Sequence, residues 1–207
     1  MEFLLLAHIS AGIVALLSAT LALCSGKGGK LHRLSGAIYF WAMSAIFITA
    51  IPMAIITGNI FLFLIAIFSF YLAFAGRRFA KNRKGIATII DWVAIGLVLI
   101  SGIAMWILAV IYFLAQNYQY ITLGVFGFIA LAIGYQDFMR YKNRTVIGKR
   151  RIAGHLNHMM GGTIAVVTAV LVVNVSIEPV WLWWILPTLV ITPIIFWWNI
   201  KTLDRKN

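Results

Sequence analysis

Apolar runs separated by short polar segments make up almost all of this 207-residue chain. The runs lie at about 3–23, 34–57, 60–75, 88–114, 119–135, 153–175 and 180–199. Most approach the ~20 residues that an α-helix needs to cross a hydrocarbon core; the third and fifth are shorter. Only "TGN" separates the second run from the third, but a break is required there because 34–75 is too long for one crossing. The pattern predicts an all-α integral membrane bundle of seven transmembrane helices, folded as a single domain over residues 1–207. Composition supports this class: 63% of residues are hydrophobic and 11% charged, against roughly 45–50% and about 25% in soluble domains. The one cysteine, Cys24, excludes an intrachain disulfide framework.

The formal charge of +12 would suit a nucleic-acid partner if it were spread differently. With seven crossings, the segments at 24–33, 76–87 and 136–152 and the tail from Lys201 share one face. Together they hold all 17 Lys and Arg residues. The opposite face has "TGN", "AQNYQ" and "SIEP", which carry none. The positive-inside rule then puts the N-terminus outside and the C-terminus in the cytoplasm. The basic segments set orientation and meet anionic lipid headgroups; no aromatic or motif context for nucleic acid accompanies them. "SGKGGK" at 25–30 lacks phosphate-loop spacing. "NRT" at 143–145 matches a glycosylation sequon on the face expected to be cytoplasmic. "MEF" has no positive n-region, so the first run is expected to span and not to be cleaved. Trp181, Trp183 and Trp184, with Trp197 and Trp198, mark the two interfacial ends of the last run. Pro187 and Pro193 are expected to bend it.

The candidate chemistry centres on four histidines. In "HISAG", "HRLSG" and "HMMGG", glycine follows histidine by four residues, one turn along the same helix face: His8 and Gly12, His32 and Gly36, His158 and Gly162. Small residues let membrane helices approach, and a histidine can hydrogen-bond across the contact, so packing alone accounts for the motif. Alternatively, the missing side chain leaves space for a flat ligand beside the ring. His32, His155 and His158 open their spans at the cytoplasmic end. Asp91 lies about one turn inside the fourth span from that same face, and a carboxylate there needs a partner or a cavity. His8 is near the outer surface and stands apart.

Two cofactors suit this layer. One b-type haem would use His32 and His158 as axial ligands, with His155 as the alternate. Gly36 and Gly162 would give clearance, and Asp91 would orient a histidine as its hydrogen-bond acceptor. Such a protein would transfer electrons within the membrane, to or from quinone or another redox partner. A zinc site would use His32, His155, His158 and Asp91, with a water position left open. Under packing alone no cofactor is bound, and Asp91 pairs with Arg33 or Arg151. The span centres offer mainly the hydroxyls Ser44, Thr49, Ser101 and Thr168, so no transport through a central charged site is expected. No CxxCH, HExxH or GxSxG signature is present.

"AHISAGIVALLSATLAL", "GGKLHRLSGAIYFWAM" and "HLNHMMGGTIAVVTAVLVVN" resemble a family of bacterial multi-pass membrane proteins known as domain of unknown function 2306. That resemblance covers most of the chain. It implies a bacterial inner-membrane location and matching histidines at His8, His32 and His158, but no activity. The arrangement is more loosely similar to the b561-type membrane cytochromes, whose two haems sit between histidines. With one outer histidine here, only the cytoplasmic haem carries over. The seven-span zinc hydrolases that use three histidines and an aspartate are a more distant likeness, since their H-x3-H element is absent.

Overall fold

A computed structural model of the chain describes residues 1–204. Its elements are seven helices: α1 (Glu2–Cys24), α2 (Lys30–Ile56), α3 (Ile60–Lys81), α4 (Ile89–Leu114), α5 (Gln119–Lys142), α6 (Gly148–Asn174) and α7 (Val180–Asp204). All seven are long and apolar enough to cross a membrane, and no strand occurs among the described residues. The all-α, seven-helix expectation holds, and it marks a multi-pass membrane protein. Large apolar side chains stay exposed along the helices, among them Phe3, Ile48, Ile100 and Val173. In water such surface would be unstable, whereas lipid solvates it without cost. α7 runs unbroken through Pro187 and Pro193.

Two helices run furthest past their apolar runs. α3 continues to Lys81 and α5 to Lys142. Arg78 and Lys81 lie in the last turn of α3, and Arg140 and Lys142 in that of α5. Arg and Lys are good helix formers and favour the negative end of the helix dipole. A polar last turn is therefore helical although hydropathy does not reveal it. The expected basic segment at 136–152 is corrected accordingly: only residues 143–147 are loop, and Asp137 lies inside a helix.

The chain divides into two compact units, Met1–Ala66 and the residues from Ile67 onward. In the first, α1 packs on α2 through Ala15, Ser18 and Ala19, which are buried. The hydroxyl of Ser18 donates to Val14 O at 2.7 Å, so this buried polar group is satisfied within its own helix. The chain turns at Gly28, whose φ of +78° is the left-handed conformation that glycine tolerates. Lys27 Nζ then reaches back to cap α1, donating to Leu23 O at 2.6 Å and Ala22 O at 3.0 Å. Burial lowers the pKa of this lysine, with the Cys24 thiol opposing that shift.

In the second unit, α4 and α5 approach through glycines. A Cβ on Gly102 would stand 2.9 Å from Leu131 Cγ, and one on Gly127 would stand 2.8 Å from Trp106 Cδ1. α3 and α6 meet the same way, since a Cβ on Gly154 would lie 2.9 Å from Phe79 Cδ1. Absent side chains here allow backbones to approach, the usual basis of helix association in lipid. The Asn199 amide on α7 donates to Asn157 Oδ1 on α6.

Candidate functional site

Three helices of the second unit bring Tyr71, Asp137 and His158 into one buried cluster. Tyr71 comes from α3, Asp137 from α5 and His158 from α6, and they are 4%, 0% and 2% exposed. His158 Nε2 is 2.6 Å from Asp137 Oδ2, and the Tyr71 hydroxyl donates to that same oxygen at 2.6 Å. His158 Nδ1 lies 2.7 Å from Gly154 O, one turn back along α6. Arg140 Nη1 approaches the other carboxylate oxygen at 3.3 Å. The Phe79 ring flanks the imidazole at 5.0 Å between centroids and stacks on Tyr141 at 5.7 Å.

The hydrogen-bond geometry limits where protons can be. Gly154 O is a carbonyl and only accepts, so His158 Nδ1 carries a hydrogen. Between Nε2 and Oδ2, a hydrogen bond requires one more proton. If it sits on nitrogen, the pair is imidazolium and carboxylate; if on oxygen, it is neutral imidazole and carboxylic acid. In both states one proton is shared across 2.6 Å between two buried side chains.

A second buried carboxylate is engaged differently. Arg78 grips Asp91 with two contacts of 2.6 Å, Nε to Oδ1 and Nη2 to Oδ2. The Thr88 backbone N–H donates to Asp91 Oδ2 at 2.8 Å, and the Thr88 hydroxyl does so at the same distance. Thr88 is the N-cap of α4 and Asp91 its third residue, forming a capping box. Both Asp91 oxygens thus serve an arginine and a helix cap. The cation paired with Asp91 is Arg78 and not Arg33 or Arg151. Arg151 instead donates to Phe79 O and Ala80 O at 2.8 and 2.6 Å, capping the C-terminal end of α3.

The other histidines also bond to specific partners. His155 Nδ1 donates to Gly76 O at 2.8 Å, joining α6 to α3. His32, in the first unit, donates from Nδ1 to Ala22 O at 3.0 Å and so joins Lys27 at the end of α1. His8 Nδ1 meets Thr49 Oγ1 at 3.0 Å, a hydrogen bond between α1 and α2. Gly12 and Gly36, which follow His8 and His32, would meet nothing within 4 Å if they gained a Cβ. Close helix approach does not explain those two glycines. Gly162 is buried on α6.

The histidines expected as a haem pair are His32, in the first unit, and His158, in the second, with His155 as the alternate; His158 bonds to Gly154 O and Asp137, His155 to Gly76 O and His32 to Ala22 O. Ligation through His158 Nε2 would require the imidazole to give up Asp137. For zinc, no group of three His, Cys, Asp or Glu side chains is placed to hold a metal ion among the described residues.

Tyr71 and Asp137 are absent from the residues that sequence reasoning singled out. Asp137 had a readable signal: it is one of five acidic residues, set in "GYQDFMRYK" with Arg140 one turn on. Tyr71 had none, since a tyrosine within an apolar run normally packs as an aromatic. No protein-family model, curated protein or solved structure matches this chain.

Proposed function

We propose that this chain is a proton-coupled protein of the bacterial inner membrane, with its N-terminus outside and its C-terminus in the cytoplasm. Its functional centre is the Tyr71–Asp137–His158 cluster, which binds and releases one proton. The shared 2.6 Å contact between His158 Nε2 and Asp137 Oδ2 carries this reading. Apolar residues of similar volume hold helices together as well as a buried charge pair does, because desolvation offsets much of the Coulomb attraction. An ionisable pair kept inside a membrane bundle is therefore better explained by proton handling than by stability. In that orientation the basic ends of α3 and α5 would face the cytoplasm, and the cluster would exchange protons with that side. Anionic headgroups would meet those same ends.

The test is infrared difference spectroscopy of the full chain in lipid vesicles across a pH jump, comparing wild type with Asp137→Asn. The expected result is a carboxyl or imidazolium change in wild type that Asp137→Asn lacks. Identical difference spectra overturn the reading. The absorbance and metal content of the same preparations test the rivals. A Soret band lost in His158→Ala would replace proton coupling with haem-based electron transfer, and stoichiometric zinc lost in that variant would replace it with a metal site.

A further inference from the structure

Beside the two buried carboxylates of the second unit lies a small, partly open recess. Tyr71, Arg78, Asp91, Asp137 and Tyr141 border it together with apolar side chains such as Ala75 and Phe79, and a water-sized sphere can place its centre within about 10 Å³ of it. On that measure ~10–15 Å³ is the room one water needs, provided polar partners surround it. Partners are present: both carboxylates, the arginine and two phenols border the space. One of them has an unmet need. The Tyr141 hydroxyl is buried and makes no hydrogen bond of normal geometry, although the Asn82 side chain stands beside it. Asn82 donates to Ile86 O at 2.7 Å and accepts from Gly85 N at 3.1 Å. The Tyr141 ring cannot turn away, since it stacks on Phe79 and is edged by Trp92 at 6.2 Å. A buried hydroxyl left without a partner costs about 1–3 kcal/mol unless something satisfies it.

We infer that this space is a binding site for one water molecule, held by Tyr141 Oη, that links Asp137 to Asp91 and gives the cluster its route for proton exchange. The inference rests on the proton-binding reading of Tyr71, Asp137 and His158. The step moves one proton and no electrons. The proton leaves the Asp137–His158 pair and forms an O–H bond on the water. A different O–H bond of that water breaks as its proton passes to an Asp91 oxygen, so the water is regenerated. Asp91 then returns to carboxylate by releasing the proton towards solvent beside Arg78, whose side chain is 31% exposed. Throughout, Arg78 keeps its charge and stabilises the returning carboxylate. Tyr141 acts as a positioning residue, since it fixes the water without supplying the transferred proton.

The test uses the full chain in lipid nanodiscs with ¹⁵N-labelled histidine, and reads the rate at which the His158 ring protons exchange with D₂O. Tyr141→Phe removes the hydroxyl that holds the water. Ala75→Val fills the space without altering any polar group. Each is expected to slow exchange about tenfold, roughly the worth of one lost hydrogen bond in the path. The His158 ¹⁵N shifts should keep their wild-type values, which a general loosening of the bundle would not allow. If Ala75→Val does not fold, Tyr141→Phe decides alone. Wild-type exchange rates in the folded variants overturn the water route and leave the proton-binding reading standing. A wild-type His158 with only one ring proton and no response to Asp137→Asn overturns that underlying reading instead.

Discussion

His158 Nε2 and Asp137 Oδ2 lie 2.6 Å apart although the residues are 21 positions apart in the chain and on different helices. Neither side chain reaches solvent, so each depends on the other. Removing one leaves the partner buried without its counter-group. Asp137→Ala and His158→Leu are each expected to destabilise the second unit by about 3–5 kcal/mol, the range for breaking a buried pair. Because each removes the same contact, the double variant should lose less than the sum, by about 1–3 kcal/mol. Reversible unfolding in mixed micelles gives all three values. Strict additivity would show that the two groups are not coupled.

The Arg78–Asp91 pair differs because it is half open to solvent, with side chains 31% and 3% exposed. Arg78→Ala should cost about 2–3 kcal/mol, below the ~3–5 of a fully enclosed pair because exposed charge is screened. Arg78→Lys should fall between wild type and alanine, since an ammonium keeps the charge but loses the two-pronged grip on the carboxylate. Thermal unfolding of the three proteins side by side ranks them. A lysine variant as stable as wild type would mean that the paired geometry contributes nothing.

The architecture was legible because every helix carries an apolar run, and lipid-facing helices have no reason to hide it. The site was less legible. A helix may end in several polar residues, so the end of an apolar run understates the end of the helix. This is why Asp137 reads as loop in sequence while it is buried in α5. Asp91 was correctly marked as needing a partner, but which arginine supplies it depends on how α3 and α4 pack. The histidine–glycine spacing was a weaker guide than it looked. The glycine that serves His158 most directly is Gly154, one turn before it, through its carbonyl.

Two glycine substitutions should therefore have opposite effects. At Gly154 a methyl group would stand 2.9 Å from Phe79 Cδ1, and Phe79 is held between Tyr141 and His158. Gly154→Ala is expected to cost about 1–3 kcal/mol as overpacking. At Gly36 a methyl group meets nothing within 4 Å. Gly36→Ala should stabilise α2 by about 0.5–1 kcal/mol, the ordinary gain of alanine over glycine in a helix. Unfolding midpoints in detergent compare the two, and a loss at Gly36 would reveal a contact to that face.

The last prediction concerns orientation, and the helix ends strengthen its basis. Arg78 and Lys81 finish α3, and Arg140 and Lys142 finish α5. Lys149, Arg150 and Arg151 open α6, while Lys201 falls in the last turn of α7. If each helix crosses once, all these ends share one membrane face together with the loop carrying Lys27. The connections after α2, α4 and α6, at 57–59, 115–118 and 175–179, share the other face and contain no Lys or Arg. Moving one such cation across a bilayer centre is opposed by ~2.5–3.5 kcal/mol even on the mildest insertion scales. Reporter fusions after residues 58, 116 and 178 should therefore report an outside location, and fusions after 26, 84 and 145 a cytoplasmic one. One or two of the first three found in the cytoplasm would mean that some helices do not cross and that the count of seven fails; all three there would reverse the orientation instead.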